Sequence, residues 1–383
     1  MKKIGILTYH RAINYGAFLQ CYSLVEKIKQ ECPGCLVEVI DFETRGEFII
    51  KIKSLIKSGG IVDFIKKLKM FTAFHRNVNK YLPLSKKHIV SNRADCVKRN
   101  YSADYDIIIV GSDAVWNNVN EPAKLNFYLH GIDCVKMSYA ASCSGLNTNV
   151  IGKKDKLFLK EALSSFTYIG VREEKVEHFL TKIAPTLKYS HNCDPTCFID
   201  LTTIDTNKLE KKLFKYGINA NKRIICIMTK NEFISKRIYS EYHETHQIVG
   251  LYTYNKYVDV MLYDLEPIEF AVFFKYVDIL FTYFFHGAYL ALKNGIPVIA
   301  LEENIEPDNE VPKIKYLFER LGLHDWYFRP NEMGEEEISH MMRLSKYLME
   351  VSQKERLKEC LFLEEQFSGS FLSSLKSLIP LNE

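Results

Sequence analysis

A two-domain α/β protein built on parallel sheets is predicted from three features of the sequence. Its 383 residues are too many for one core and comfortable for two, since domains usually hold roughly 100–200 residues. Short apolar runs ending in glycine, serine or a charged residue alternate with amphipathic helical stretches, the pattern of βαβ units. That pattern runs to about residue 200 and begins again at Arg223, after a polar, threonine-rich stretch. The expected organisation is a first domain over 1–200 with a helical insertion at about 47–80, a linker over 201–221, a second domain over 222–333 and a helical tail over 334–383.

The first unit opens with a strand over Lys3–Thr8, a loop over His10–Tyr15, a helix from about Gly16 to Gln30 and a strand over Leu36–Asp41. Such a connection is right-handed and leaves its loop at the carboxyl edge of the sheet. Phe48–Lys80 reads as two basic amphipathic helices separated by Ser58-Gly59-Gly60. Two readings compete for them: a surface that lies on an anionic membrane, or a cover for one face of a sheet with lysines turned to solvent. The packing reading is favoured. Buried strands follow at Asp106–Val110, Lys136–Ala141 and Tyr168–Val171. In the second unit, strands are expected at Arg223–Thr229, Gln247–Leu251, Asp278–Thr282 and Pro297–Leu301, with helices around Pro267–Tyr276 and Gly287–Lys293. The tail from Glu335 to Leu378 is helical in pattern.

Composition excludes several classes. Hydrophobic residues make up 47% and charged residues 26%, as in ordinary globular proteins. The net charge of +4, from 51 basic and 47 acidic side chains, is too small to argue for nucleic acid. Residues Ile4–Thr8 are too short for the apolar region of an export signal. The apolar run Ile268–Leu280 is interrupted by Glu269, Lys275 and Asp278, so no bilayer-spanning helix is expected. The ten cysteines are then expected as reduced thiols in the cytoplasm. Cys32-Pro33-Gly34-Cys35 looks like a redox motif but lies between a helix and a strand, so it reads as a turn. Nothing joins it to Cys193 and Cys197 as a zinc site, and no metal is expected. No oligomeric state is specified.

In open α/β sheets, ligands bind beyond the carboxyl ends of the strands. That rule selects Asn14-Tyr15-Gly16-Ala17, Gly111-Ser112-Asp113, Ser142, Arg172-Glu173, Asp194 and Phe285-His286-Gly287. Several open a helix, where unpaired N–H groups and the dipole favour an anion. Gly16 and Gly287 would let backbone approach a phosphate closely. One imidazole, one guanidinium and several carboxylates make an acid/base and anion-binding set. Bland readings compete throughout: His286 as a helix cap, Arg172 as a solvated partner of Glu173 and Glu174, Asp113 as a turn residue, and Trp116 as core instead of a sugar platform.

These stretches resemble the polysaccharide pyruvyl transferase family. The likeness is carried by Ile4–Thr8 with Asn14–Gln20, then Val39-Ile40-Asp41, Tyr105-Asp106 and Val110-Gly111-Ser112-Asp113-Ala114-Val115-Trp116. Ser138–Ser142, Val171-Arg172-Glu173, Asp194-Pro195-Thr196, Phe285-His286-Gly287 and Leu317–Leu323 follow in family order. The resemblance implies two Rossmann-like domains in a glycosyltransferase-B-like arrangement, with chemistry between the halves near His286. It implies transfer of a pyruvyl group from phosphoenolpyruvate, as donor substrate and not as resident cofactor, to a sugar or lipid-linked oligosaccharide. Asp113, Arg172, Phe285 and His286 match positions associated with the donor site. The implied catalytic set is His286, Arg172 and Asp113; Asn14, Tyr15, Gly16, Gly111, Ser112, Trp116, Ser142, Glu173, Asp194, Phe285 and Gly287 would bind substrate.

The chain departs from the family at Tyr283-Phe284, where a small polar pair is common, and at Ala114, where a glutamine is common. Aromatic rings there would narrow or dry the pocket. Chemically, a guanidinium suits a donor bearing phosphate and carboxylate, and an imidazole suits the acid that protonates its methylene carbon. Asp113 could orient the imidazole or deprotonate the acceptor. A lipid-linked acceptor would suit the basic helices and place the protein at the inner face of the membrane. Two alternatives stand beside this reading: a nucleotide-sugar glycosyltransferase with Glu302 or Glu303 for the ribose, and an inactive binding relative.

Overall fold

The structure is a computed structural model that describes residues 1–56, 61–148, 151–219, 222–252, 254–302 and 312–379. The expected Ser58–Gly60 break and Glu303 lie outside them. Two compact units emerge, one formed by Met1–Ile199 with the chain from Glu365 onward, the other by Asp200–Glu364.

The first unit holds a six-stranded sheet in the order β2-β1-β5-β6-β7-β8: β1 (Lys3–Leu7), β2 (Leu36–Val39), β5 (Ile107–Val110), β6 (Val135–Ala141), β7 (Tyr168–Val171) and β8 (Ser190–His191). All pairings are parallel. Helix α1 (Tyr15–Glu31) joins β1 to β2, and Cys35 N donates to Cys32 O at 2.9 Å in the turn between. The expected strand over Leu36–Asp41 stops at Val39, because the chain leaves to form β3 (Phe42–Thr44). That strand pairs with β4 (Ile89–Ser91) in a separate two-stranded sheet, which the sequence reading did not contain. β1 and β5 are apolar at every position from Ile4 and Ile107 onward except Gly5, as strands covered on both faces require.

Helices α2 (Arg45–Ile56) and α3 (Ile61–Tyr81) form the expected insertion. The favoured packing of these helices needs correction. Lys51 is buried and pairs with Glu43, while Ile50 is 67% exposed and Phe48, Ile49, Phe64, Ile65, Leu68 and Met70 are also exposed. A carboxylate on β3 draws the ammonium inward, and the apolar edge turns out.

In the second unit the sheet order is β11-β10-β9-β12-β13-β14, comprising β9 (Ile224–Met228), β10 (Gln247–Leu251), β11 (Val260–Leu262), β12 (Ile279–Thr282), β13 (Val298–Leu301) and β14 (Tyr327–Phe328). It too is parallel throughout. The stretch expected as a linker carries the helix Asn207–Lys215, whose Leu209 and Leu213 are buried in this unit. The expected tail is divided as well. Helix Glu335–Glu350 and most of Lys354–Gln366 belong to the second unit, whereas Gly369–Ser377 packs on the first. There Phe371 meets the rings of Tyr139 and Tyr168 at 4.6 and 5.6 Å, and Tyr139 Oη lies 2.6 Å from Ser368 Oγ. No described helix is long and apolar enough to cross a membrane.

Candidate active site

The strand ends of the first sheet gather most of the expected residues. Gly111, Ser112 and Asp113 follow β5, Ser142 follows β6, Arg172 and Glu173 follow β7, and Asp194 lies just past β8. Arg172 is buried, and its Nη1 donates to Asp194 Oδ2 at 2.7 Å and to Ser112 O at 3.4 Å. Its Nη2 lies 3.7 Å from Glu173 Oε2. Burial pulls the guanidinium down, but Glu173, Asp194 and Asp113 outweigh it and hold it above its ordinary value. Arg172 is therefore a buried, permanently charged centre and not a solvated ion-pair partner.

Asp194 accepts from four donors: Arg172 Nη1, Gln20 Nε2 at 2.6 Å, Thr196 N at 3.0 Å and Thr196 Oγ1 at 2.7 Å. It ties α1 to β8 and to the guanidinium. Ser142 Oγ donates to Glu173 Oε1. Asp113 is half-buried and accepts from Ala114 N at 2.7 Å, the turn geometry its bland reading described. Buried Ser112 Oγ has no hydrogen-bond partner among the described residues.

Three expected roles change. Trp116 is fully buried, stacks on Tyr128 at 6.0 Å and donates from Nε1 to Phe127 O at 3.1 Å, so it is core and not a substrate contact. Asn14 caps α1, accepting from Gly16 N at 2.8 Å and Ala17 N at 3.4 Å. This occupies the N–H groups of Gly16 and Ala17 that an anion would use there. Gly287 is buried, and a Cβ there would stand 3.0 Å from Met228 Sδ, so its lack of a side chain serves packing on β9.

In the second unit, β12 ends at Thr282 and the helix Phe285–Lys293 begins with Phe285 and His286 in its first turn. Its N-cap residue Phe284 makes no side-chain capping bond, in contrast to Asn14 of α1. Tyr283, Phe284, Phe285 and His286 are all half-buried, between a buried strand and a buried helix. Glu302, reserved above for a ribose, instead accepts from Tyr327 Oη and pairs with Arg329 Nε at 3.3 Å.

A further cluster beside β1 escaped the sequence reading. Arg11 grips Asp41 through Nε at 2.5 Å and Nη2 at 2.7 Å, and His10 faces Asp41 Oδ1 and Thr8 O with its two ring nitrogens, at 3.0 and 3.1 Å. Lys124 Nζ donates to Tyr9 Oη at 2.9 Å and to Glu47 Oε1 at 2.8 Å. Burial, then Glu47 and Asp113, push the Tyr9 phenol well above its ordinary range, so it keeps its proton. The available signal was the His10-Arg11 pair placed just beyond a buried strand. Among the described residues no group of three or more His, Cys, Asp or Glu side chains is placed to hold a metal ion.

Two parallel Rossmann-like sheets with polar strand ends define a glycosyltransferase-B-like fold. Comparisons place it further. The chain belongs to the polysaccharide pyruvyl transferase family, whose sequence profile matches residues 14–304. No curated protein matches it. Among solved structures it is similar to a UDP-GlcNAc 2-epimerase from Neisseria meningitidis bound to UDP-GlcNAc, at TM-score 0.57 and 11% identity, covering 98% of this chain and 100% of that one. A glycosyltransferase from Rickettsia africae gives 0.51 at 13% identity over 98% and 97% of the two chains. Sucrose-phosphate synthase from Thermosynechococcus elongatus gives 0.51 at 10% identity over 99% and 100%. Identities this low show the fold alone.

Proposed function

We propose that this transferase moves the carbon unit of phosphoenolpyruvate onto two hydroxyls of a sugar, forming a pyruvate ketal and releasing phosphate. The observation that carries the reading is the buried, carboxylate-ringed guanidinium of Arg172 at the strand-end edge. Beside it, family membership supports a glycan acceptor. The donor's carboxylate takes the place of one protein carboxylate at Arg172, so the buried charge stays compensated throughout.

His286 delivers a proton to the methylene carbon of the donor, and one acceptor hydroxyl adds to the adjacent carbon. Its proton passes to a carboxylate, for which half-buried Asp113 is suited. The carbon–oxygen bond to phosphate then breaks, and the second hydroxyl closes the ring while its proton leaves with phosphate. The start of the helix Phe285–Lys293, through its dipole, favours anionic species next to His286. A lipid-linked sugar is the acceptor form that suits the exposed apolar edge of α2 and α3, where Lys53, Lys67 and Lys69 add positive charge. If so, charge reversal at these lysines reduces sedimentation with anionic vesicles; unchanged sedimentation removes the lipid-linked form.

Calorimetric titration with phosphoenolpyruvate tests the donor. Saturable binding that disappears in Arg172→Ala supports it; binding of a nucleotide sugar alone would replace it with glycosyl transfer.

A further inference from the structure

The strand-end edge of the second sheet carries an aromatic cluster that the reaction above does not use. β10, β9 and β12 lie side by side, and each delivers a member of the cluster just past its end: Tyr252 after β10, Lys230 after β9, and Tyr283-Phe284 after β12. The rings of Tyr252 and Phe284 meet at a centroid separation of 5.1 Å, joining the two strands that flank β9. Tyr283 leans on Phe284 at 4.1 Å, and Lys230 Nζ stands 5.5 Å from the Tyr283 ring centroid. Tyr252 remains 46% exposed, and Tyr283 and Phe284 are half-buried.

Tyr252 also has a φ of 70°. A bulky residue avoids this left-handed region, and such conformations persist at functional positions when their surroundings enforce them. Mutually packed rings would ordinarily be covered. Here they form a partly open face at the edge where parallel sheets bind ligands.

We propose that this face is a saccharide subsite, with a pyranose ring laid on Tyr283 and Phe284 and its hydroxyl oxygens accepting from Lys230. That the bound sugar is the acceptor rests on the pyruvyl-transfer reading; the saccharide contact itself does not. Polarised C–H bonds on one face of a pyranose meet the negative face of an aromatic ring, and an ammonium supplies three donors for hydroxyl oxygens. A nucleoside would stack as well, but Glu302, one of the two carboxylates suited to its ribose, is engaged by Tyr327 and Arg329. The platform selects the sugar by its apolar face.

The test is saturation-transfer difference NMR with methyl glycosides of galactose, glucose, mannose and N-acetylglucosamine, with uridine as competitor. At least one glycoside should receive saturation on its ring C–H positions. Its affinity should fall about tenfold in the double variant Tyr283→Ala/Phe284→Ala and survive in Tyr283→Phe. Lys230→Met, a change at an exposed side chain, should weaken the same glycoside without altering the melting curve. The proposal is overturned if no glycoside binds the folded wild type, if the double variant and Lys230→Met bind as tightly as the wild type, or if uridine displaces the sugar. Phosphoenolpyruvate titrations on the same samples separate the two readings. Loss of donor binding in the wild type refutes pyruvyl transfer and leaves the glycoside signal to decide the platform.

Discussion

Arg172 Nη1 and Asp194 Oδ2 are 2.7 Å apart, with both residues almost wholly inside the first unit. Removing one member of such a pair leaves a buried charge short of its partner. Asp194→Ala should therefore lower stability by about 3–5 kcal/mol in urea titrations. Gln20 and Thr196 lose an acceptor in the same variant, so Asp194→Asn should recover part of the loss.

Trp116 separates core from site. Trp116→Ala should cost about 3–5 kcal/mol of stability from the lost packing, because the indole is fully buried against Tyr128 and Phe166. Donor affinity in the fraction that folds should equal that of the parent, measured by the same calorimetric titration.

Acid sensitivity has a local source at His75. Burial first, then Lys51 and Arg11, lower its ring to about 4 from an ordinary 6.5. Between those values the unfolded chain binds the proton and the folded chain does not, so stability is lost as pH falls through that window. Thermal midpoints should decline from about pH 7 to about pH 4, and less steeply in His75→Gln.

Gly111 has a φ of 121°, and a Cβ there would collide with the carbonyl oxygen of Tyr139 on β6. Neither strain nor clash can be relieved by moving a flexible side chain. Gly111→Ala should lose soluble folded protein on expression, whereas Gly145→Ala, with open space around its Cβ, should lose only about 1–2 kcal/mol to its positive φ.

The parallel strands were legible because both of their faces are covered, which leaves unbroken runs such as Ile107–Val110 and Val298–Leu301. β8 and β14, two residues each, contain too little pattern to see. β3 begins directly after a run to Asp41 that looked like one continuous strand, and its pairing with β4 reveals the break. Position alone selected Arg172 and Asp194, which the structure brings into one hydrogen-bonded pair at the strand ends. The site was misread where an adjacent side chain had already satisfied the same groups, as Asn14 does for Gly16. Lys51 inverted the expected face of α2 because Glu43, on β3 and outside the helix, pairs with it.

The return of Gly369–Ser377 to the first unit bears on the order in which the protein forms during synthesis. Asp200–Glu364 is continuous and can close as soon as it has left the ribosome. The earlier-made segment must wait, since Phe371 and Ser368, which cover Tyr139, are translated after it. The usual sequence of amino-terminal domain first is thereby reversed for these two units: the one made first is completed after the other.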